Sequence, residues 1–283
     1  VPVNDLTSRK EVASLLRTAG VHPSKRLGQN FLVDRTALDA ILIEVKRAAP
    51  CEILEIGAGL GTVTSELARI ADRVVAVEVD RRLAALLERT VGGMRNVEIV
   101  RADILTLDLR CASKSDSLFI VGNIPYRITA PILKHLVEYR DVISGALLLT
   151  QCEVAEKIAL SPGRDGSALG VFLQAYADIH VIKHVPKGSF YPVPEVDSTL
   201  WRLSFLKEPR FSAAPDDFFA IVRTLYGKRR KMVRAALRDL LPSAQVSEIL
   251  KTAGIDPSAR GETLTLEEID RIARLLSQDS YAR

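Results

Sequence analysis

Cysteine is scarce in this chain and poorly placed for cross-linking. Cys51, Cys111 and Cys152 are odd in number, widely spaced and without a CxxC pair. That excludes a disulfide framework and a structural zinc site, and it fits a reducing compartment, the cytoplasm. Histidine is scarce too. His22, His135, His180 and His184 stand at no metal-binding spacing from cysteine or acidic partners, so they read as surface or strand residues and no metal is expected. No apolar run approaches the roughly 20 residues of a membrane-spanning helix, so no membrane partner is expected, and the N-terminal stretch is too charged for a secretory signal. Neither charge dominates. The 39 Lys and Arg against 35 Asp and Glu leave a net charge of +4, a mild hint of an anionic partner.

What is present is an ordinary globular composition, 47% hydrophobic and 26% charged, in 283 residues. That length suggests one large domain and a smaller one. The chain is organised around Ile53-Leu54-Glu55-Ile56-Gly57-Ala58-Gly59-Leu60-Gly61. A buried strand runs into three glycines at alternate positions, and an amphipathic run from Val63 to Ile70 follows. Strand, glycine turn and helix make the first βα unit of a nucleotide-binding sheet. The glycines let the backbone turn sharply and let a ligand approach where a Cβ would collide. A helix N-terminus there offers free N–H groups to an anion such as a carboxylate.

Before that unit, a polar helix is predicted from Ser8 to Thr18, then a basic-to-apolar loop from Lys25 to Leu32. Asp34 should cap a helix over about 36–47. After it, strands are predicted at 73–79, 97–100, 118–121 and 146–149, alternating with helical runs. That alternation predicts an α/β fold with a doubly wound, mostly parallel sheet. Val181–Ile182 and Ser198–Phe205 have no useful helix between them and should form an antiparallel hairpin at one edge. Beyond Pro209 only helical periodicity remains, over 216–226, 228–241, 244–253 and 265–277. The expected domains are therefore 1–207, holding the sheet, and 208–283, a small all-α unit.

Ligands of such sheets sit outside the carboxyl ends of the strands. Polar residues stand at four of these ends: the glycines, Glu78, Asp103 and Asn123. Glu78 lies 21 residues past Gly57, the spacing at which a carboxylate accepts both ribose hydroxyls of an adenosine ligand. Asp103 could accept from an adenine amino group.

Asn123-Ile124-Pro125-Tyr126 follows the fourth strand directly. The exocyclic amine of a base is a poor nucleophile because its lone pair is delocalised into the ring. A side-chain amide oxygen and a backbone carbonyl can accept its two hydrogens. Those bonds strengthen as the nitrogen attacks and becomes positive, which favours the transition state. Pro125 fixes the turn and aims the Ile124 carbonyl inward. Tyr126 offers a face on which the base can stack.

With these motifs in hand, the chain resembles the AdoMet-dependent ribosomal RNA adenine dimethyltransferases of the KsgA/Erm type. That family carries a GQNFL-like loop, an E-x-G-x-G-x-G loop, an N-[LI]-P-Y motif and an F-x-P-x-P-x-V-x-S loop. Here they are Gly28–Leu32, Glu55–Gly61, Asn123–Tyr126 and Phe190–Ser198. The resemblance runs from about Lys25 to the C-terminus and implies a Rossmann-like class I methyltransferase fold. It also implies S-adenosylmethionine as cofactor. Gln29, Asn30 and Leu32 would close over this donor, Gly57 and Gly59 would lie beneath its methionine part, and Glu78 would take its ribose. Asp103 would take its adenine, and Asn123 would line both donor and target sites. The bacterial small-subunit branch is similar in its C-terminal region, with Arg229–Lys231 and Gly254–Arg260. That implies dimethylation of two adjacent adenines near the 3′ end of 16S rRNA in a pre-30S particle, by a monomer. The chain departs from the family at Arg127, usually Asn, and at Gly166-Ser167, where many members carry an aromatic–glycine pair.

Two prolines hold Phe190-Tyr191-Pro192-Val193-Pro194 extended and exposed, so Phe190 could close on a flipped base opposite Tyr126. Between Arg223 and Arg238 there are seven basic residues and no acidic one. On one helix, Lys228, Lys231, Arg234 and Arg238 would share a face opposite Val233, Leu237 and Leu240, and that face should meet RNA phosphates. Lys25 and Arg26 extend the basic track. Three other readings compete. A nicotinamide-dependent dehydrogenase is disfavoured by G-x-G-x-G in place of G-x-G-x-x-G. An Erm-type 23S rRNA methyltransferase is disfavoured by the C-terminal resemblance. An RNA-binding assembly factor with incidental methylation is compatible with the same motifs.

Overall fold

The computed structural model describes residues 6–114, 117–228 and 230–281, and falls into two compact units. The first comprises Val1–Ala155 with His180–Phe205, the second Glu156–Ile179 with Leu206–Arg283.

The first unit opens with α1 (Arg9–Thr18), whose N-cap Ser8 accepts from the Glu11 N–H. Strand β1 (Phe31–Leu32) follows, and then α2 (Arg35–Ala48), capped by Asp34 through the N–H groups of Thr36 and Ala37. Next come β2 (Glu52–Ile56), α3 (Thr62–Leu67), β3 (Arg73–Val77), α4 (Arg81–Val91), β4 (Val97–Val100), α5 (Leu109–Ala112), β5 (Leu118–Asn123), α6 (Thr129–Glu138) and β6 (Ile143–Gln151). Helix α7 (Cys152–Ala159) begins here and α8 (Ala168–Tyr176) lies in the second unit. Strands β7 (Ala177–Val185), β8 (Phe190–Tyr191) and β9 (Ser198–Phe205) complete the β structure.

Seven strands form the main sheet in the order β4-β3-β2-β5-β6-β9-β7. The pairs β4/β3, β3/β2, β2/β5 and β5/β6 are parallel, whereas β6/β9 is antiparallel. β7 and β9 are neighbours at one edge, where the sequence places its hairpin. All five residues of β2 are buried, including Glu52 at 3% exposure. A buried carboxylate needs partners, and Glu52 has them: it pairs with the Arg73 guanidinium and accepts from Ser113 Oγ and the Lys114 N–H. A separate two-stranded ribbon, β1 against β8, sets Phe31 opposite Tyr191 and Leu32 opposite Phe190.

In the second unit α8 is joined by α9 (Pro215–Gly227), α10 (Val233–Leu237), α11 (Ser243–Thr252) and α12 (Leu266–Tyr281). Its core is mostly aliphatic, with a cluster of aromatic rings beside it. Phe211 stacks on Phe218 at 4.4 Å, and Phe219 packs against Phe172, Tyr176 and Phe211. Buried Asp270 accepts from the N–H groups of Ser212 and Ala213, both at 2.8 Å, and so holds the chain entering α9. The helix expected over 228–241 is much shorter, only Val233–Leu237. The approach to it is pinned by tertiary bonds that a continuing helix could not make: Val233 N–H donates to Ala259 O, and Met232 bridges Arg260.

Candidate functional site

The strand order reverses between β2 and β5, because β3 and β4 continue the sheet on one side of β2 and β5 begins the other. A cleft opens there, outside the carboxyl ends of both strands. Ile56 is level with Gly122 in the register, so the glycine turn after β2 faces Asn123 at the end of β5. Gly57, Gly59 and Gly61 all have left-handed φ, from 58° to 86°, a region other residues adopt only with strain. A Cβ on Gly59 would come within 3.1 Å of the Phe31 ring, so β1 packs directly on this turn. At Gly57 the nearest atom to an added Cβ would be Asn123 O, 3.9 Å away. That is an ordinary van der Waals distance to a backbone carbonyl, and no side chain comes as near on that side of the turn.

Two buried carboxyl groups flank the turn. Glu78 accepts from the N–H groups of Gly59 at 3.0 Å and Asp80 at 2.9 Å. Burial outweighs those bonds and raises its pKa. Glu55 accepts from Thr64 Oγ1 at 2.5 Å and lines the cleft beside Gly57 and Asn123. Burial, the largest cause, pushes its carboxyl up to about 8, with Thr64 opposing and the charge of Glu78 adding. Glu55 is therefore largely protonated at neutral pH.

Residues 28–32 close the cleft from the other side. Gly28, at φ 65°, packs so near Pro125 that a Cβ would lie 3.3 Å from the proline Cβ. The Gln29 amide is used at both ends, accepting from Ser24 N–H at 2.6 Å and donating to Asp80 Oδ2 at 3.1 Å. Asp80 in turn caps α4 and pairs with Arg82; the Arg82 bond is the largest cause holding its carboxyl well below the usual range. Asn123 Nδ2 donates to the Asn30 carbonyl at 2.8 Å, which leaves Oδ1 as the acceptor on a residue that lines the cleft. After Asn123, the turn at Pro125 is tied by Thr129 Oγ1, which donates to the carbonyls of Pro125 and Tyr126. The Tyr126 phenol meets Ser198 Oγ at 3.1 Å.

Two adjoining cavities make up the cleft and share Asn30, Phe31, Gly57, Gly59 and Asn123; Leu32 and Glu55 line only the one, and Gln29, Glu78 and Pro125 only the other. Asp103 is not among its lining residues; it is exposed and accepts from Leu105 N–H. The expected exposure of Phe190 is corrected. The ring is 1% exposed, in a core cluster with Leu32, Leu38 and Leu200, because β8 pairs with β1 and turns that side chain inward. Tyr191, alternate on the strand, is the half-buried ring, with the Arg9 guanidinium 5.9 Å from its centre.

Lys25 and Arg26 are exposed on a single turn before Gly28. Lys231, Arg234 and Arg238 are exposed in the second unit, and Arg229 lies outside the described residues. The shared helical face expected for the cations is corrected: Lys228 and Lys231 precede α10, Lys228 pairs with Asp239, and Leu240 is 41% exposed. Sequence reasoning also missed Thr64, Asp80 and the bond from Ser189 Oγ to Asp34, 2.6 Å long. Asp80 carried a signal in its capping position just after a strand. Among the described residues no group of three or more His, Cys, Asp or Glu could hold a metal, and no helix is long and apolar enough to cross a membrane.

A sheet of this order, with an acceptor amide facing a glycine turn across its switch point, has the architecture of a class I methyltransferase. The family model described as ribosomal RNA adenine dimethylase matches residues 22–278, and the chain belongs to that family of rRNA adenine dimethyltransferases. It is 36% identical to the ribosomal RNA small subunit methyltransferase A of Anoxybacillus flavithermus, over 96% of both chains. Among solved structures it is similar to the 23S rRNA methyltransferase ErmE, with TM-score 0.69 and 31% identity over 88% of this chain and 100% of that one. A dimethyladenosine transferase from Plasmodium falciparum shares the fold, with TM-score 0.75 and 22% identity over 89% and 98% of the two chains.

Proposed function

We propose that this protein dimethylates two adjacent adenines near the 3′ end of 16S rRNA, within a pre-30S particle in the cytoplasm, using S-adenosylmethionine and acting as a monomer. The orientation of Asn123 carries the reading: its N–H is taken by Asn30, so Oδ1 is available to an amine. The cleft also fits the donor. No side chain comes near the Gly57 turn, Glu78 presents a carboxyl group at the ribose edge, and Gln29, Asn30 and Leu32 line the site opposite. When bound, the donor supplies a methyl group already activated on a sulfonium.

The protein's own part is positioning and acceptor hydrogen bonding. Asn123 Oδ1 and the Ile124 carbonyl accept the two hydrogens of the adenine amine, and both bonds strengthen as that nitrogen turns cationic. Tyr126 stacks on the base, a contact worth about 1–3 kcal/mol. Phe190, packed against Leu32, supports the loop from beneath. Asp103, exposed after β4, accepts from the donor's adenine. The second unit, with residues 208–283, serves as an RNA-binding body, in which Lys231, Arg234 and Arg238 reach phosphates. Lys25 and Arg26 do so beside the cleft, and Lys228, held by Asp239, contributes less.

A second reading, methylation of 23S rRNA, has support from the 31% identity to ErmE. The 36% identity to a small-subunit enzyme favours the first. Incubation with 30S and 50S precursors and labelled S-adenosylmethionine decides between them. Label is expected on two neighbouring adenines of the small-subunit rRNA. Label confined to 23S rRNA would reject the first reading in favour of the second.

A further inference from the structure

Ser198 opens β9 and is wholly buried, at 0% exposure. A buried hydroxyl needs a partner. The partner here is the Tyr126 phenol, 3.1 Å away and 72 residues distant in sequence. The sheet explains how they meet. Asn123, the last residue of β5, stands opposite Leu149 of β6, and two residues further along β6 Gln151 stands opposite Ser198. The turn after Asn123 returns Tyr126 to that level.

Side chains two apart on a strand share a face. Ser198 therefore lies on the face of Leu200, which lines the cleft. Thr199 is turned the other way, and its hydroxyl donates to Cys152 Sγ at 3.1 Å. The backbone of Tyr126 is already held by Thr129. What the backbone does not fix is the angle of the half-buried ring, and the phenol is the one point where the ring can be tied.

We propose that Ser198 is a positioning residue, whose hydroxyl tethers the Tyr126 phenol and sets the ring plane that a swung-out purine must meet. The proposal rests on the reading that Tyr126 carries the target base. Without the tether the ring samples other angles and fewer bases dock productively. Donor binding is untouched, because the contacts read for it lie at Gly57, Glu78, Asp103, Asn123 and residues 29–32, and none involves the Ser198 hydroxyl or the phenol.

Ser198→Ala, Tyr126→Phe and the double variant should each lose about 5- to 10-fold in kcat/KM for the RNA substrate, as expected for one neutral hydrogen bond. The double variant should lose no more than either single one, since both remove the same bond. Affinity for S-adenosylmethionine, by equilibrium dialysis, should match the parent in all three. Parental activity in Ser198→Ala, losses that multiply in the double variant, or an equal fall in donor affinity would each overturn the proposal. Ring-fluorinated tyrosine gives a readout that needs no RNA. The Tyr126 signal in fluorine NMR, assigned by its loss in Tyr126→Phe, should shift and narrow in Ser198→Ala, and an unchanged signal would again overturn the tether. If the parent protein methylates neither precursor particle, the functional reading fails on its own, and the fluorine signal still decides the tether.

Discussion

Asn123 is held by one half of its amide and offers the other, so its substitutions separate two roles. Asn123→Ala removes the acceptor and should slow the chemical step by about 100- to 1000-fold, the usual consequence of losing one charge-stabilising group. Donor affinity should fall only modestly, through loss of the bond to the Asn30 carbonyl. Asn123→Asp sets a carboxylate against the Asn30 carbonyl, so it should weaken donor binding further. Single-turnover methylation with equilibrium dialysis tells the two apart. Glu55 yields a prediction about pH. Its folded pKa of about 8 lies above the ordinary 4.5, so the folded state holds a proton that the unfolded chain releases. The resulting stability is complete below about pH 4.5 and is lost as the pH rises through 8, by about 1.4 kcal/mol per unit within that window. Urea denaturation of Glu55→Gln at pH 6, 7.5 and 9 should lack this decline, and a parallel decline in both proteins would refute the assignment.

Among the elements, α2 and the ribbon share one residue. Asp34 caps α2 and also accepts from Ser189 Oγ, whose backbone carbonyl takes the Val33 N–H at 2.8 Å. Asp34→Ala should destabilise the protein by about 1–2 kcal/mol, measured by chemical denaturation at pH 7. The Ser189 bond, first among the causes, holds the Asp34 carboxyl below its usual range. Its contribution is therefore full near neutrality and is lost as the pH falls into the acid range. That cap was legible in the sequence, as were the strands of the parallel sheet and the Gly57–Gly61 turn, because local periodicity and turn chemistry determine them. The ribbon was not. Phe31–Leu32 and Phe190–Tyr191 are too short to show a period, and they meet across about 160 residues. Phe190 illustrates the consequence: proline-rich surroundings suggest an exposed loop, whereas pairing with β1 turns the ring inward. The 228–241 stretch failed for the opposite reason. Its periodicity was real, but bonds to Ala259 and Arg260 replaced the helix ahead of Val233.

For the molecule as a whole, modest net charge leaves RNA affinity to local clusters. Replacing Lys231, Arg234 and Arg238 together by Ala should weaken RNA binding regardless of sequence. It should also flatten the slope of log affinity against log salt by about 2, at roughly 0.7 per single-stranded phosphate contact. Filter binding between 50 and 200 mM salt would measure this, and an unchanged slope would place the phosphate contacts elsewhere. The ribbon has one more consequence. With only two residues in each strand, it should be among the first elements of its unit to come apart. The amide proton of Val33, bonded to Ser189, should then trade with deuterium long before those at the centre of β2, and in step with those of β8. A stopwatch on that trade would record how often the two loops let go of each other.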